Sequence, residues 1–187
     1  IGREFEQPDG MVTHVLVTSY LITSIVMQAP SGKLGDRLGH RTTLAYGQWA
    51  FLLGSLGAFF APTFWLLGLA RVVMATGGAL IVPSATALLR IELPAEKRGA
   101  AFGAFGAAMA LSAAIGPVLG GFITAHASWR ATFLVNLVVL PIAARLALVP
   151  HARPSAETPT LRGFRFDGVG SALIGVSLAA LVVGTRL

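Results

Sequence analysis

Long apolar runs alternate with short polar breaks along this chain. Six runs reach the ~20 residues that a helix needs to cross the hydrocarbon core of a bilayer. They cover residues 12–31, 43–61, 64–89, 99–125, 131–149 and 168–185. None alternates with a period of two, and their lengths suit helices rather than strands. A spanning helix also satisfies its own backbone in lipid. The pattern therefore predicts an all-α polytopic membrane protein with six transmembrane helices.

Composition points the same way. The chain of 187 residues is 55% hydrophobic and only 12% charged, against roughly a quarter charged in soluble domains. Its 22 glycines and 10 prolines fall largely inside the apolar runs, as is common in transmembrane helices. There is no cysteine, which excludes disulfides and Cys-ligated metal sites. No metal, nucleotide or nucleophile constellation is visible, so the chain is not expected to be an enzyme or to hold a cofactor.

The formal charge is +6, but the basic residues sit in short breaks between spans rather than on one soluble face. This argues against a nucleic-acid partner. Their distribution orients the chain instead. Lys33, Arg37, Arg41, Arg90, Lys97, Arg98, Arg145, Arg153, Arg162 and Arg165 fall on one side, and Arg3, Arg130 and Arg186 on the other. Excess Lys and Arg mark the cytoplasmic side, so both chain ends are expected outside the cytoplasm. Trp65 and Trp129 suit an outer aromatic belt, whereas Trp49 is expected to pack within its span. The short outer breaks at Pro62–Thr63 and 126–130 make neighbouring helices antiparallel. The chain starts without Met and ends in an apolar run, and reads as a fragment.

Four stretches carry candidate chemistry. The first is the charged island 32–44, G-K-L-G-D-R-L-G-H-R-T-T-L. Asp36 can cap a facing helix N-terminus, and Arg37 and Arg41 can pair with acids. The next break on that side, 91–98, brings Glu92, Glu96, Lys97 and Arg98. Two readings fit these breaks: mutual ion pairs, or ordinary solvated loops. The second stretch holds Arg71, well inside a span. A guanidinium there costs about 2.5–3.5 kcal/mol on insertion scales and is expected to face a cavity or a partner. The third is the glycine-rich run 99–125, with Gly103, Gly106, Gly116, Gly120 and Gly121 for close helix contact and Pro117 to bend the helix. The fourth is S-W-R-A-T-F at 128–133, followed by Asn136. Gln28 and Gln48 are read as interhelix hydrogen-bond formers ahead of substrate contacts, and His14 as an interfacial polar residue ahead of a pH-sensitive group.

These motifs, in this order, resemble those of the major facilitator superfamily. Gly32, Leu34, Asp36, Arg37, Gly39, Arg41 and Leu44 match its loop G-x-L-x-D-R-x-G-R-R/K-x-x-L, with His40 in place of the first basic residue of the pair. Arg71, Gly77 and Ala79 match R-x-x-Q-G-x-G-x-A of its fourth span, with Met74 and Ala75 in place of Gln and Gly. Gly116, Pro117, Gly120 and Gly121 match the antiporter motif of its fifth span, with Ser112 replacing the first Gly. Trp129, Arg130, Phe133 and Asn136 resemble the start of the sixth span. F-D-G-V-G at 166–170 resembles the opening of the seventh span in fourteen-span drug:proton antiporters.

The resemblance covers spans two to seven. It implies a partial major facilitator fold: residues 1–149 as most of the N-terminal helical bundle without its first span, 150–166 as a cytoplasmic linker, and 167–187 as the seventh span. It implies a multi-pass protein of the bacterial inner membrane that exports small hydrophobic or cationic compounds by alternating access. The proton gradient would supply the energy, with no cofactor. Arg71 would serve proton coupling or substrate binding. Gly32, Asp36, Arg37, Gly39 and Arg41 would form a cytoplasmic gate, and Gly116, Pro117, Gly120 and Gly121 would shape the antiporter helix. The partners would be the lipid bilayer, protons, a small-molecule substrate and the absent second transporter half. An importer or symporter of the same superfamily, or a transport-inactive membrane scaffold or sensor, are the alternatives.

Overall fold

The structure, a computed structural model, describes residues 1, 2 and 4–138, with Asp9 by its backbone alone. Its first helical stretch runs through α1 (Asp9–Thr13), a π-helical turn (His14–Thr18) and α2 (Ser19–Leu38) without a break. α3 (His40–Phe59), α4 (Phe64–Glu92) and α5 (Ala95–His126) follow, and residues 131–138 begin another helix. No strand occurs among the described residues. Three stretches are long and apolar enough to cross a membrane: Gly10–Leu38, Phe64–Glu92 and Ala95–His126. The run at 43–61 becomes α3, which is less apolar because Thr42, Tyr46, Gln48 and Ser55 interrupt it. The run at 131–149 is described only in its first part. The linker at 150–166, the span at 167–187, and Arg3, Arg145, Arg153, Arg162, Arg165 and Arg186 lie outside the described residues.

The helices run past the apolar segments into the polar breaks. The charged island at 32–44 is not a loop: α2 continues to Leu38 and α3 starts at His40. The whole turn is Gly39, at φ 87° and ψ 137°, a conformation that a Cβ makes costly. Lys33, Asp36 and Arg37 sit in the last turns of a helix that has already left its apolar segment. The next break shrinks in the same way, to Leu93 and Pro94. α4 starts cleanly because Pro62 and Thr63 stop α3, and the Thr63 hydroxyl accepts the Leu66 N–H at 3.3 Å, a side-chain N-cap.

Packing is tightest between α3 and α4. A Cβ on Gly77 would lie 2.6 Å from the Phe51 backbone nitrogen and 2.7 Å from the Gly47 carbonyl oxygen. One on Gly54 would lie 2.9 Å from the Ala70 carbonyl oxygen, and one on Gly47 2.8 Å from the Leu80 Cβ. The two backbones touch, and only small residues let them do so. The buried face of α3 is accordingly small: Thr43, Leu44, Gly47, Gly54, Ser55 and Ala58. Its large residues, Tyr46, Trp49 and Leu53, are exposed. Trp49 is 63% exposed, so the expectation that it packs within the span is corrected. Large apolar side chains lose nothing against lipid tails, and the helix contact selects the small ones.

The main apolar cluster lies at the other end of the bundle from Gly39. Leu16, Ala58, Ala61, Phe64, Leu67, Ala70, Met74 and Phe133 are buried there, with Phe5, Tyr20, Phe51 and Trp129 packed against them. This cluster joins the first helical stretch, α3, α4 and the helix at 131–138. Among the described residues α5 contributes no buried residue.

Candidate functional site

Arg71 projects from α4 into this bundle. Its guanidinium carbon is 5.4 Å from the centroid of the Tyr20 ring, on α2, and 5.5 Å from that of Phe133. Its Nε is buried and has no hydrogen-bond partner. Among the described residues no carboxylate pairs with it. Two aromatic faces stand against Arg71, each able to attract a cation through its ring quadrupole. The Tyr20 hydroxyl reaches on to Gly78, lying 3.5 Å from where a Cβ would stand.

At the Gly39 end, Arg41 Nε donates to Glu92 Oε1 at 2.7 Å. The pair ties the first turn of α3 to the last turn of α4, so the two charged breaks do exchange an ion pair. The Glu92 carboxylate, by hydrogen bond and by charge, makes the Arg41 guanidinium hold its proton still more firmly. Asp36 faces His40 across the turn, with His40 Nε2 3.5 Å from its Oδ1. A side chain on Gly35 would run into the His40 ring, so the close approach belongs to Gly35. Gly32 has nothing within contact distance of its missing Cβ. Arg37 is exposed and makes no ion pair among the described residues.

At the opposite end, Glu4 accepts hydrogen bonds from Arg130 Nη1 and, at 2.6 Å, from Trp129 Nε1. Arg130 Nη2 also donates to the Ala61 carbonyl at 3.3 Å, and its guanidinium lies 4.3 Å from the Trp129 ring. Arg130, and secondly Trp129, hold the Glu4 carboxyl below its ordinary pKa. Sequence reasoning put Arg130 on one side and Arg41 and Glu92 on the other, and the structure segregates them so. It had no means of pairing Glu4 with Trp129 and Arg130, which lie more than a hundred residues away. Further in, Asn136 Nδ2 donates to the Ser55 hydroxyl at 3.2 Å, and Ser55 is fully buried. The glutamines do not play this part among the described residues. Gln28 is exposed, and neither Gln28 nor Gln48 has an interhelix hydrogen bond among the described residues.

α5 runs continuously through Pro117. Gly103, Gly106, Gly116, Gly120 and Gly121 all face open space among the described residues. Arg71, the charged turn and the α5 glycines thus form three separate places rather than one site.

Residues 5–185 match the family model described as Major Facilitator Superfamily. The chain is 33% identical over 188 residues to the MFS-type transporter YvkA of Bacillus subtilis, covering 100% of this chain and 41% of that protein. It is 32% identical over 171 residues to the tetracenomycin C resistance and export protein of Streptomyces glaucescens, covering 90% and 31%. It is 34% identical over 167 residues to the putative multidrug resistance protein MdtD of Citrobacter koseri, covering 88% and 36%. The chain therefore spans less than half the length of these relatives.

Proposed function

Because the chain belongs to the Major Facilitator Superfamily, a family of multi-pass membrane transporters, we propose that a transporter containing it exports small hydrophobic or cationic compounds in exchange for protons. The observation that carries this reading is Arg71: a charge inside a spanning helix, turned into the bundle, with no carboxylate pairing with it among the described residues. A fixed charge of this kind is expensive in a membrane and belongs to ion or substrate pathways. It favours transport over a scaffold, which has no use for it. The names of relatives that export tetracenomycin C or confer multidrug resistance support export over import, as does G-P-V-L-G-G at 116–121. Alternating access between two helical halves is the mechanism. The turn at Gly39, with Asp36, Arg37 and Arg41, serves as part of the cytoplasmic gate, and Arg71 serves proton coupling. The proton gradient supplies the energy.

Everted membrane vesicles bearing the full-length transporter test the direction. With the vesicle interior made acidic, ethidium should accumulate inside as protons leave. Solute moving in the same direction as protons overturns export in favour of symport.

A further inference from the structure

We infer that Tyr20 and Phe133 are positioning residues for Arg71, holding its guanidinium by its faces where a carboxylate would otherwise anchor it. The inference rests on the reading of Arg71 as a coupling residue. Three elements converge on the guanidinium. α4 supplies it, α2 brings the Tyr20 ring to 5.4 Å, and the helix at 131–138 brings the Phe133 ring to 5.5 Å. The described carboxylates that pair do so at the two ends of the bundle, with Arg130 at one and with His40 and Arg41 at the other.

The chemistry of the two anchors differs. A carboxylate neutralises a guanidinium and occupies its N–H edge with paired hydrogen bonds. An aromatic face attracts the same charge through its quadrupole and leaves that edge free. The buried Nε of Arg71 is left with no acceptor, as this arrangement requires. Arg71 is thereby oriented, with its donors open to a group that arrives during the transport cycle. Phe133 is itself fixed from the outer end, since its ring meets that of Trp129 edge-on at 6.2 Å and Trp129 donates to Glu4. Tyr20 and Phe133 come from different helices, so a rearrangement of either helix against α4 changes the hold on Arg71.

The test uses the full-length transporter in lipid nanodiscs and in proteoliposomes. In the first, the arginine Nε–H correlation spectrum is recorded, with the Arg71 signal identified by its loss in Arg71→Lys. The expected signal is shifted upfield by both rings. Tyr20→Leu and Phe133→Leu should each move it downfield, whereas Tyr20→Phe should leave it in place. In the second, ethidium transport driven by a pH gradient should fall about tenfold in Tyr20→Leu and Phe133→Leu, the scale of a desolvated cation–π contact. Downhill ethidium exchange should persist, and Tyr20→Phe should retain both activities. An Arg71 signal unmoved by Tyr20→Leu overturns the inference. So does equal loss of driven and downhill transport, or loss of folded protein in both Tyr20→Leu and Tyr20→Met, because the ring is then merely structural. A parent that moves ethidium in neither direction counts against the export reading instead, and the arginine signal then decides the inference alone.

Discussion

The α3–α4 contact and α5 are built from the same kinds of residue and have opposite surroundings. Gly47, Gly54 and Gly77 lie where any side chain would strike the backbone or Cβ of the facing helix. Gly116, Gly120 and Gly121 meet nothing among the described residues. What separates them is the partner. Gly47 and Gly54 stand seven residues apart on α3, and Ala70 and Gly77 stand seven apart on α4, so two small stripes face each other. A stripe of small residues on one helix says that close packing is possible, and only a matching stripe on a second helix says where.

Substitution should break this symmetry. Gly77→Val should destabilise the bundle by about 3 kcal/mol or more, because the helices must part. Gly120→Val in this 187-residue chain should change stability by no more than about 0.5 kcal/mol. Thermal unfolding in detergent separates the two, and equal losses would erase the contrast. In the full-length transporter Gly120→Val should cost more than in the shorter chain if α5 meets a helix from the rest of the protein there.

The hinge that brings α3 back alongside α2 should respond next. Gly39→Ala forces an L-residue to φ 87°, at a cost of about 2 kcal/mol, read in the same melt. Ser55→Ala should cost about 1 kcal/mol, since it leaves the Asn136 amide without its acceptor beside the α3–α4 contact. Little change there would mean that this hydrogen bond does not help seat the helix at 131–138.

The smallest effect is electrostatic. Arg130 and Trp129 lower the pKa of Glu4 from 4.5, so its ionised form is the one that the fold prefers. Its contribution should be complete above that ordinary value and fade as pH falls through the lowered one. Glu4→Gln should flatten this part of the stability profile while leaving neutral-pH unfolding nearly unchanged, as befits an exposed pair.

Much of this was legible in the chain. Apolar run length located the helices, because crossing lipid leaves few alternatives. The side-to-side distribution of Lys and Arg separated Arg41 from Arg130, which lie at opposite ends of the bundle. Arg71 stood out because a charge inside an apolar run is costly anywhere but at a polar or aromatic contact. Other features were hidden for physical reasons. The length of the charged turn was overestimated, since Lys33, Asp36 and Arg37 sit comfortably in a helix end and polarity does not distinguish that from a loop. Trp49 was misplaced because size does not mean burial when the surroundings are lipid. Tyr20 and Phe133 lie far from Arg71 in sequence, and neither is unusual on its own helix. The seven-residue spacing of Gly47 with Gly54 and of Ala70 with Gly77 was the one unused signal that could have found the α3–α4 contact.

The most direct measurement is pH-gradient-driven transport by an Arg71→Ala variant of the full-length transporter, compared with its downhill exchange of the same solute. Driven transport should fall by at least about tenfold, corresponding to about 1.4 kcal/mol, while downhill exchange continues. An Arg71→Ala protein that keeps its full driven transport contradicts the role given to this residue.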